Sequence, residues 1–334
     1  MKKMLLVAVT AGVVACGTQK NVENANPMEY AETITTSELL NNLTTFASDE
    51  YEGRNTGEPG QKKAAEFIVN EYQKMGIEAP EGYSNYYQEI PTEFFNGNLK
   101  ASENVLGYIK GSEKPEEILV ITSHYDHVGV DDEGNIFNGA DDGGSGPMAI
   151  LEVAEAFKEA QKDGYTPKRS ILFIHLTGEE KGLLGSKYYV ENPVFPLANT
   201  VANLNMDMIG RIDKDHEGND NYIYLIGSDK LSTDLHELSE NVNSEYMNME
   251  LDYTYNDEND PNRFYYRSDH YNFAKNNIPV IFYFNGVHPD YHKPTDTAEK
   301  IEYEALKKRA QLVFLTAWEI ANRDERLVVD KAEE

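Results

Sequence analysis

The chain has 334 residues, 40% of them hydrophobic and 26% charged, which is enough apolar material for a sizeable core and argues against wholesale disorder. Acidic residues outnumber basic ones 58 to 30, for a formal charge of −28; a field of that sign repels phosphate backbones and argues against nucleic acid as a partner. A single cysteine, Cys16, excludes an internal disulfide framework and a cysteine-built zinc cluster, so a metal site must be made of His, Asp and Glu.

The N-terminus reads as an address. Met1-Lys2-Lys3 is basic and Met4 to Val14 is almost wholly apolar, yet far shorter than the roughly 20 residues that cross a bilayer as a helix. This is the pattern of an export signal. Val13-Val14-Ala15-Cys16 resembles the bacterial lipoprotein box, which implies cleavage before Cys16, lipidation of Cys16 and anchoring in the cell envelope, with the lipid as the only membrane contact. We expect a signal peptide over 1–15, a lipidated terminus and polar tether over 16–35, and one folded domain over 36–334.

Within that domain, Thr36 or Ser37 is placed to cap a helix running to Ala47. A second helix is expected from Gly60 to Met75, with Ala64, Ile68, Tyr72 and Met75 on one face and Gly76 as its stop. Tyr86 to Phe95 and Asn104 to Lys110 read as strands at a sheet edge. The runs Ile118 to Ser123, Ile171 to Thr177, Val201 to Met206, Tyr222 to Ile226 and Val280 to Phe284 are short and nearly all apolar, which suits strands buried on both faces. Between them lie helical patterns over Pro147 to Ala160, Leu231 to Tyr246 and Ile301 to Asn322. Strands alternating with helices predict one α/β domain: a mostly parallel central sheet with helices on both faces.

Ligands of such sheets gather at the carboxyl ends of the strands, and the polar residues that follow these strands form a set. His124-Tyr125-Asp126-His127 follows the Ile118 strand, and Gly139 to Gly146 leads into the Pro147 helix. Thr177-Gly178-Glu179-Glu180 follows the Ile171 strand. Asn205-Met206-Asp207 closes the Val201 strand, and Tyr291-His292 with Asp296 and Thr297 lies beyond the Val280 strand. Imidazoles and carboxylates brought together from remote segments suit a pair of zinc ions and a water activated between them. His175, inside a strand, reads as a core histidine, whereas His127, His216 and His236 carry no assigned role beyond surface or supporting duty.

The order H-x-D, G-A-D-D-x-x-S-G, G-E-E, N-x-D and Y-H-x-x-x-D-T is similar to that of the M28 family of zinc aminopeptidases. Ser48 to Arg54 resembles the start of its bacterial members, and Arg267-Ser268-Asp269-His270 another of its motifs. The resemblance spans about residue 35 to 322. It implies two zinc ions per chain, with Asp142 bridging, His124 and Asp207 completing one ion, and Glu180 and His292 the other. It implies further that Glu179 is the general base, that Asp126 orients His124 from behind, and that Tyr291 steadies the oxyanion, with Tyr265 as the competing hydroxyl. Arg267, Asp269 and His270 would lie near a peptide substrate. The stretch between Gly82 and Ile118 is too short for the protease-associated domain that many relatives insert there. A one-zinc glutaminyl-cyclase-like enzyme, a carboxypeptidase using Arg54, Arg211 or Arg267, and a non-catalytic binding lipoprotein are the alternatives.

Overall fold

The computed structural model describes residues 19–331; the expected signal segment and the expected lipidation site Cys16 lie outside the described residues. Ten strands are present among them: β1 (Tyr87–Ile90), β2 (Ser102–Ile109), β3 (Lys114–His124), β4 (Gly129–Val130), β5 (Ile136–Phe137), β6 (Arg169–Leu176), β7 (Thr200–Met206), β8 (Tyr222–Ile226), β9 (Glu250–Asp252) and β10 (Val280–Phe284). The helices are α1 (Pro27–Ala31), α2 (Thr36–Phe46), α3 (Pro59–Met75), α4 (Gly146–Lys162), α5 (Leu184–Glu191), α6 (Thr233–Val242), α7 (His270–Ala274) and α8 (Tyr303–Asn322).

Eight strands form one sheet in the order β1-β2-β6-β3-β7-β10-β8-β9, while β4 and β5 pair as a separate hairpin. The centre, β6-β3-β7-β10, is parallel throughout, and antiparallel pairs occur toward the edges at β1-β2, β2-β6 and β10-β8. Alternation along β3 divides the core between the two faces. Leu119 and Ile121 join α2, α3, α4, α6 and α8 in the larger apolar layer; Ile118 and Val120 face the smaller layer with Tyr189 of α5 and Phe273 of α7. Four adjacent parallel strands therefore end on one edge, as expected of an open α/β sheet.

Several boundaries differ from expectation for local reasons. Helix α2 is capped by Thr35 rather than Thr36 or Ser37: the Thr35 hydroxyl oxygen accepts the Glu38 N–H at 3.2 Å, and its own hydrogen goes to the Glu38 carboxylate at 2.6 Å. Strand β1 stops at Ile90 because Pro91 has no N–H for the ladder. The Leu231–Tyr246 pattern is helical only over α6, closing in a looser turn at Asn243–Met247. Helix α3 ends, as expected, at Gly76 with φ +73.

Residues 20–34, expected to fall within the tether, pack against the body instead. Tyr30 stacks on Trp318 with ring centroids 5.8 Å apart, Val22 and Ala31 are buried, and Glu23 pairs with Lys168 at 2.9 Å. The ordered body thus begins ahead of α2.

His175 on β6 is a core histidine, fully buried with Nε2 2.8 Å from the Tyr72 hydroxyl. Burial lowers its pKa to about 3. The unfolded chain takes a proton there below about pH 6.5, whereas the folded chain stays neutral, so His175 costs stability as pH falls from 6.5 toward 3. Urea unfolding at pH 6.5 and 4.5 is expected to show His175→Phe gaining about 2 kcal/mol on the wild type between the two values; parallel pH slopes for the two proteins would contradict this.

Candidate metal centre

The site is assembled at the ends of β3, β6 and β7 and in the loop beyond β10. His124 is the last residue of β3, and its Nδ1 donates to the backbone carbonyl of Asp126 at 3.1 Å. That bond leaves the Nε2 lone pair free for a cation. Nε2 lies 3.1 Å from Asp207 Oδ1 and 3.4 Å from Asp142 Oδ1. Asp207 follows β7, and its other oxygen, Oδ2, accepts the Ser268 hydroxyl at 2.6 Å; Ser268 in turn is held by Asn205 Nδ2 at 2.9 Å.

A second group of ligand atoms faces the other oxygen of Asp142. His292 Nε2 is 3.0 Å from Asp142 Oδ2 and 3.3 Å from Glu180 Oε1. His127 Nδ1 is 2.8 Å from Glu180 Oε1. Two clusters able to hold a cation therefore adjoin, His124/Asp142/Asp207 and His127/Asp142/Glu180, with Asp142 common to both.

Asp142 does not arrive there on a regular helix. It sits at φ −81, ψ 101 with Gly143 at φ +78, in the turn before α4. Gly143 is needed: a Cβ would meet the Asp126 carbonyl oxygen at 2.5 Å and the His124 ring at 3.1 Å. Asp296 Oδ2 accepts the backbone N–H groups of both Asp141 and Asp142, at 3.0 and 3.1 Å. Asp141 is structural, its Oδ1 accepting the Gly210 N–H at 2.6 Å and its Oδ2 lying 3.2 Å from His288.

Arg54 ties these loops together. Fully buried, its guanidinium donates to the carbonyls of Phe46, Tyr125, Asn138 and Gly139. It binds no substrate, because its donors are spent on the backbone. The Asp126 carboxylate accepts the Thr56 hydroxyl at 2.6 Å and the Glu179 N–H at 3.2 Å, and stands 3.8 Å from His124 Nδ1. The expected orienting contact to His124 is thus made by the Asp126 backbone carbonyl, while its carboxylate positions Glu179.

Charge dictates what the site takes. Asp126, Asp142, Glu179, Glu180, Asp207 and Asp269 converge with too few cationic partners, and Asp142 Oδ2 is buried with no hydrogen-bond donor in line. Burial pushes the Glu179 carboxyl well above the usual carboxylate range; Asp207, Glu180 and Asp269 push the same way and His124 opposes them. Bound cations relieve that repulsion. The donors, imidazole nitrogens and carboxylate oxygens, are those zinc prefers in a catalytic site.

A small cavity beside the clusters is walled by Asp142, Glu179, Asp207, Tyr291 and His292 on one side and by Met208, Phe264, Phe282, Phe284 and Val287 on the other, with Arg267 at its edge. Tyr291 stacks on the His292 ring, centroids 4.0 Å apart. Tyr265 lies elsewhere, packed on Tyr266 and Tyr271 in a separate outer depression. Asp269 and His270 are fully buried: Asp269 bonds the Ser186 hydroxyl, and the His270 ring lies against Phe282 at 4.7 Å. Of Tyr265, Arg267, Asp269 and His270, all expected at the substrate, only Arg267 lines the cavity. Asp269 and His270, at the start of the short α7, are turned inward behind it, and Tyr265 faces the outer depression. Thr56, Ser268 and Asp296 carry no individual signal in the sequence, though Ser268 and Asp296 fall inside motifs that mark the region.

Solved structures share this architecture. The LapA aminopeptidase of Legionella pneumophila superposes with a TM-score of 0.69 at 21% identity, over 97% of this chain and 81% of that one. BSAP, a zinc aminopeptidase from Bacillus subtilis, gives 0.66 at 17% identity over 87% and 96%. The fold and the paired clusters define a zinc-exopeptidase architecture. Residues 104–317 match peptidase family M28, and the chain belongs to it. A probable leucine aminopeptidase of Arthroderma benhamiae is 28% identical over 287 residues, 78% of this chain and 76% of that protein. Aminopeptidase YwaD of Bacillus subtilis is 29% identical over 246 residues, 68% of this chain and 46% of that protein.

Because both clusters share Asp142, Asp142→Ala is expected to lose all bound metal and Asp207→Ala only the ion beside His124, as elemental analysis of reconstituted protein would show. An Asp142→Ala protein with full metal content would contradict the shared position.

Proposed function

We propose that the chain is an aminopeptidase that holds two zinc ions and releases N-terminal residues from peptides, tethered to the bacterial cell envelope through a lipid on Cys16. The observation that carries this reading is the pair of adjoining clusters centred on Asp142, with Glu179 beside them in one cavity. His124 and Asp207 would hold one ion and Glu180 and His292 the other, with Asp142 available to both. Zinc bound there would supply a Lewis acid for the scissile carbonyl and a water whose pKa is lowered toward ~7.

The chain's own groups do the rest. Glu179, fixed through its N–H by Asp126, takes the proton from the attacking water and passes it to the departing amine. The Tyr291 hydroxyl, on the same wall, steadies the oxyanion. The surplus of carboxylates attracts a free α-amino group, which favours action from the N-terminus. The apolar wall of Met208, Phe264, Phe282, Phe284 and Val287 suits an apolar first side chain, in keeping with the leucine aminopeptidase relatives.

The alternatives lose support. A carboxypeptidase needs a free cation for the terminal carboxylate; Arg54 is spent on carbonyls and Arg211 pairs with Asp290 at 2.9 Å, which leaves Arg267, at the cavity edge, as the one candidate of the three. A one-zinc cyclase or a binding lipoprotein has no use for a complete double cluster and an intact base. The envelope location rests on the lipoprotein-like box; no helix among the described residues is long and apolar enough to cross a membrane.

Glu179→Gln is expected to cut kcat by ~10³-fold or more while zinc content stays unchanged. Wild-type enzyme should hydrolyse leucyl and phenylalanyl amides and leave the N-acetylated forms intact. Equal cleavage of blocked substrates, or retained turnover in Glu179→Gln, would overturn the assignment.

A further inference from the structure

His127 has no place in the ligand set that the family resemblance supplies, yet it is the residue nearest Glu180. Its ring is fully buried, its backbone N–H donates to the Arg54 carbonyl at 3.2 Å, and it packs against Gly139, where a Cβ would come within 2.5 Å of the ring. Nδ1 faces Glu180 Oε1 at 2.8 Å and Asp142 Oδ2 at 3.8 Å. Nε2 is buried with no hydrogen-bond partner, so the ring's polar contacts all run through Nδ1 into the site.

The spacing is that of a coordination shell. With bonds of about 2.0–2.1 Å, a tetrahedral zinc sets its ligand atoms roughly 3.3–3.4 Å apart. Around the Glu180 pole the separations are 2.8 and 3.8 Å from His127 to Glu180 and Asp142, and 3.3 and 3.0 Å from His292 to the same oxygens. The two imidazoles stand 5.7 Å apart at 68°, as two rings sharing one ion would. The His124 pole offers three side chains.

We propose that His127 is itself a zinc ligand, through Nδ1, making the Glu180 pole a four-residue cage of His127, His292, Glu180 and Asp142 while the His124 pole keeps an open position. The inference rests on the two-ion reading above. It follows that the poles are unequal: the closed cage fills first, and the three-ligand pole is the weaker one and the one that takes water.

The experiment uses metal-free protein given one equivalent of zinc, with X-ray absorption to count imidazoles and a chelator competition to measure affinity, for wild type and for His127→Phe, which keeps a ring in the space. The expected result is two imidazoles on the single ion in wild type, one in the variant, and a loss of at least ~100-fold in affinity for that first ion. His127→Gln, which keeps a hydrogen-bond donor toward Glu180, separates a ligand from a positioning group. It should behave like His127→Phe; rescue to wild-type affinity would overturn the proposal, as would one imidazole in singly loaded wild type. Two zincs bound alike by all three proteins would reject His127 and leave the two-ion reading standing, whereas a wild type that binds no zinc would reject both.

Discussion

One carboxylate organises the molecule's chemistry. Asp142 lies between two sets of imidazole and carboxylate groups, its Oδ1 3.4 Å from His124 and its Oδ2 3.0 Å from His292. Left to themselves, the acidic groups around it repel one another in a site largely closed to water, where Coulomb terms are strong. Divalent cations turn that repulsion into binding, and the rest of the architecture serves to keep the carboxylates close enough to need them.

The sheet supplies position and the loops supply aim. Parallel strands β6, β3 and β7 end side by side, so His124, at the end of β3, Asp207, one residue past β7, and Glu179 and Glu180, three and four residues past β6, stay close to rigid elements. In the loops beyond β7 and β10 the backbone is forced: Met208 and His292 take φ +55 and +52, conformations that cost non-glycine residues on the order of 1–3 kcal/mol. Buried polar anchors hold the loops against that cost. Arg54 ties the loop after β3 to the loop before Asp142, Asp296 grips the Asp142 backbone, and Ser268 fixes the second oxygen of Asp207. The anchoring bonds run to backbone groups or through a hydroxyl, and the one buried cation among them, Arg54, balances only part of the negative charge that Asp126, Asp142, Glu180 and Asp296 bring.

Much of this was legible in the sequence because it is written locally. Buried parallel strands are short apolar runs, and the residues that end them stand next to them in the chain, so His124, Glu179, Glu180 and Asp207 could be placed before any fold was known. What escaped was long-range. His127 sits three residues beyond His124 with no pattern to mark it, and only the approach of the β6 loop puts Glu180 against it. Thr56 reaches Asp126 from another helix's entrance. Asp269 and His270 look like substrate groups beside Arg267, but α7 carries them inward, a turn too short to leave a periodic signal. The docked segment ahead of α2 is polar in composition, and its anchoring depends on Trp318, far along the chain.

The most direct test of the central claim is anomalous diffraction at the zinc edge from crystals of the zinc-loaded protein. The account predicts two zinc peaks, one against His124 and Asp207 and one against Glu180 and His292, both within bonding distance of Asp142. A single peak, or two that do not share Asp142, would contradict it.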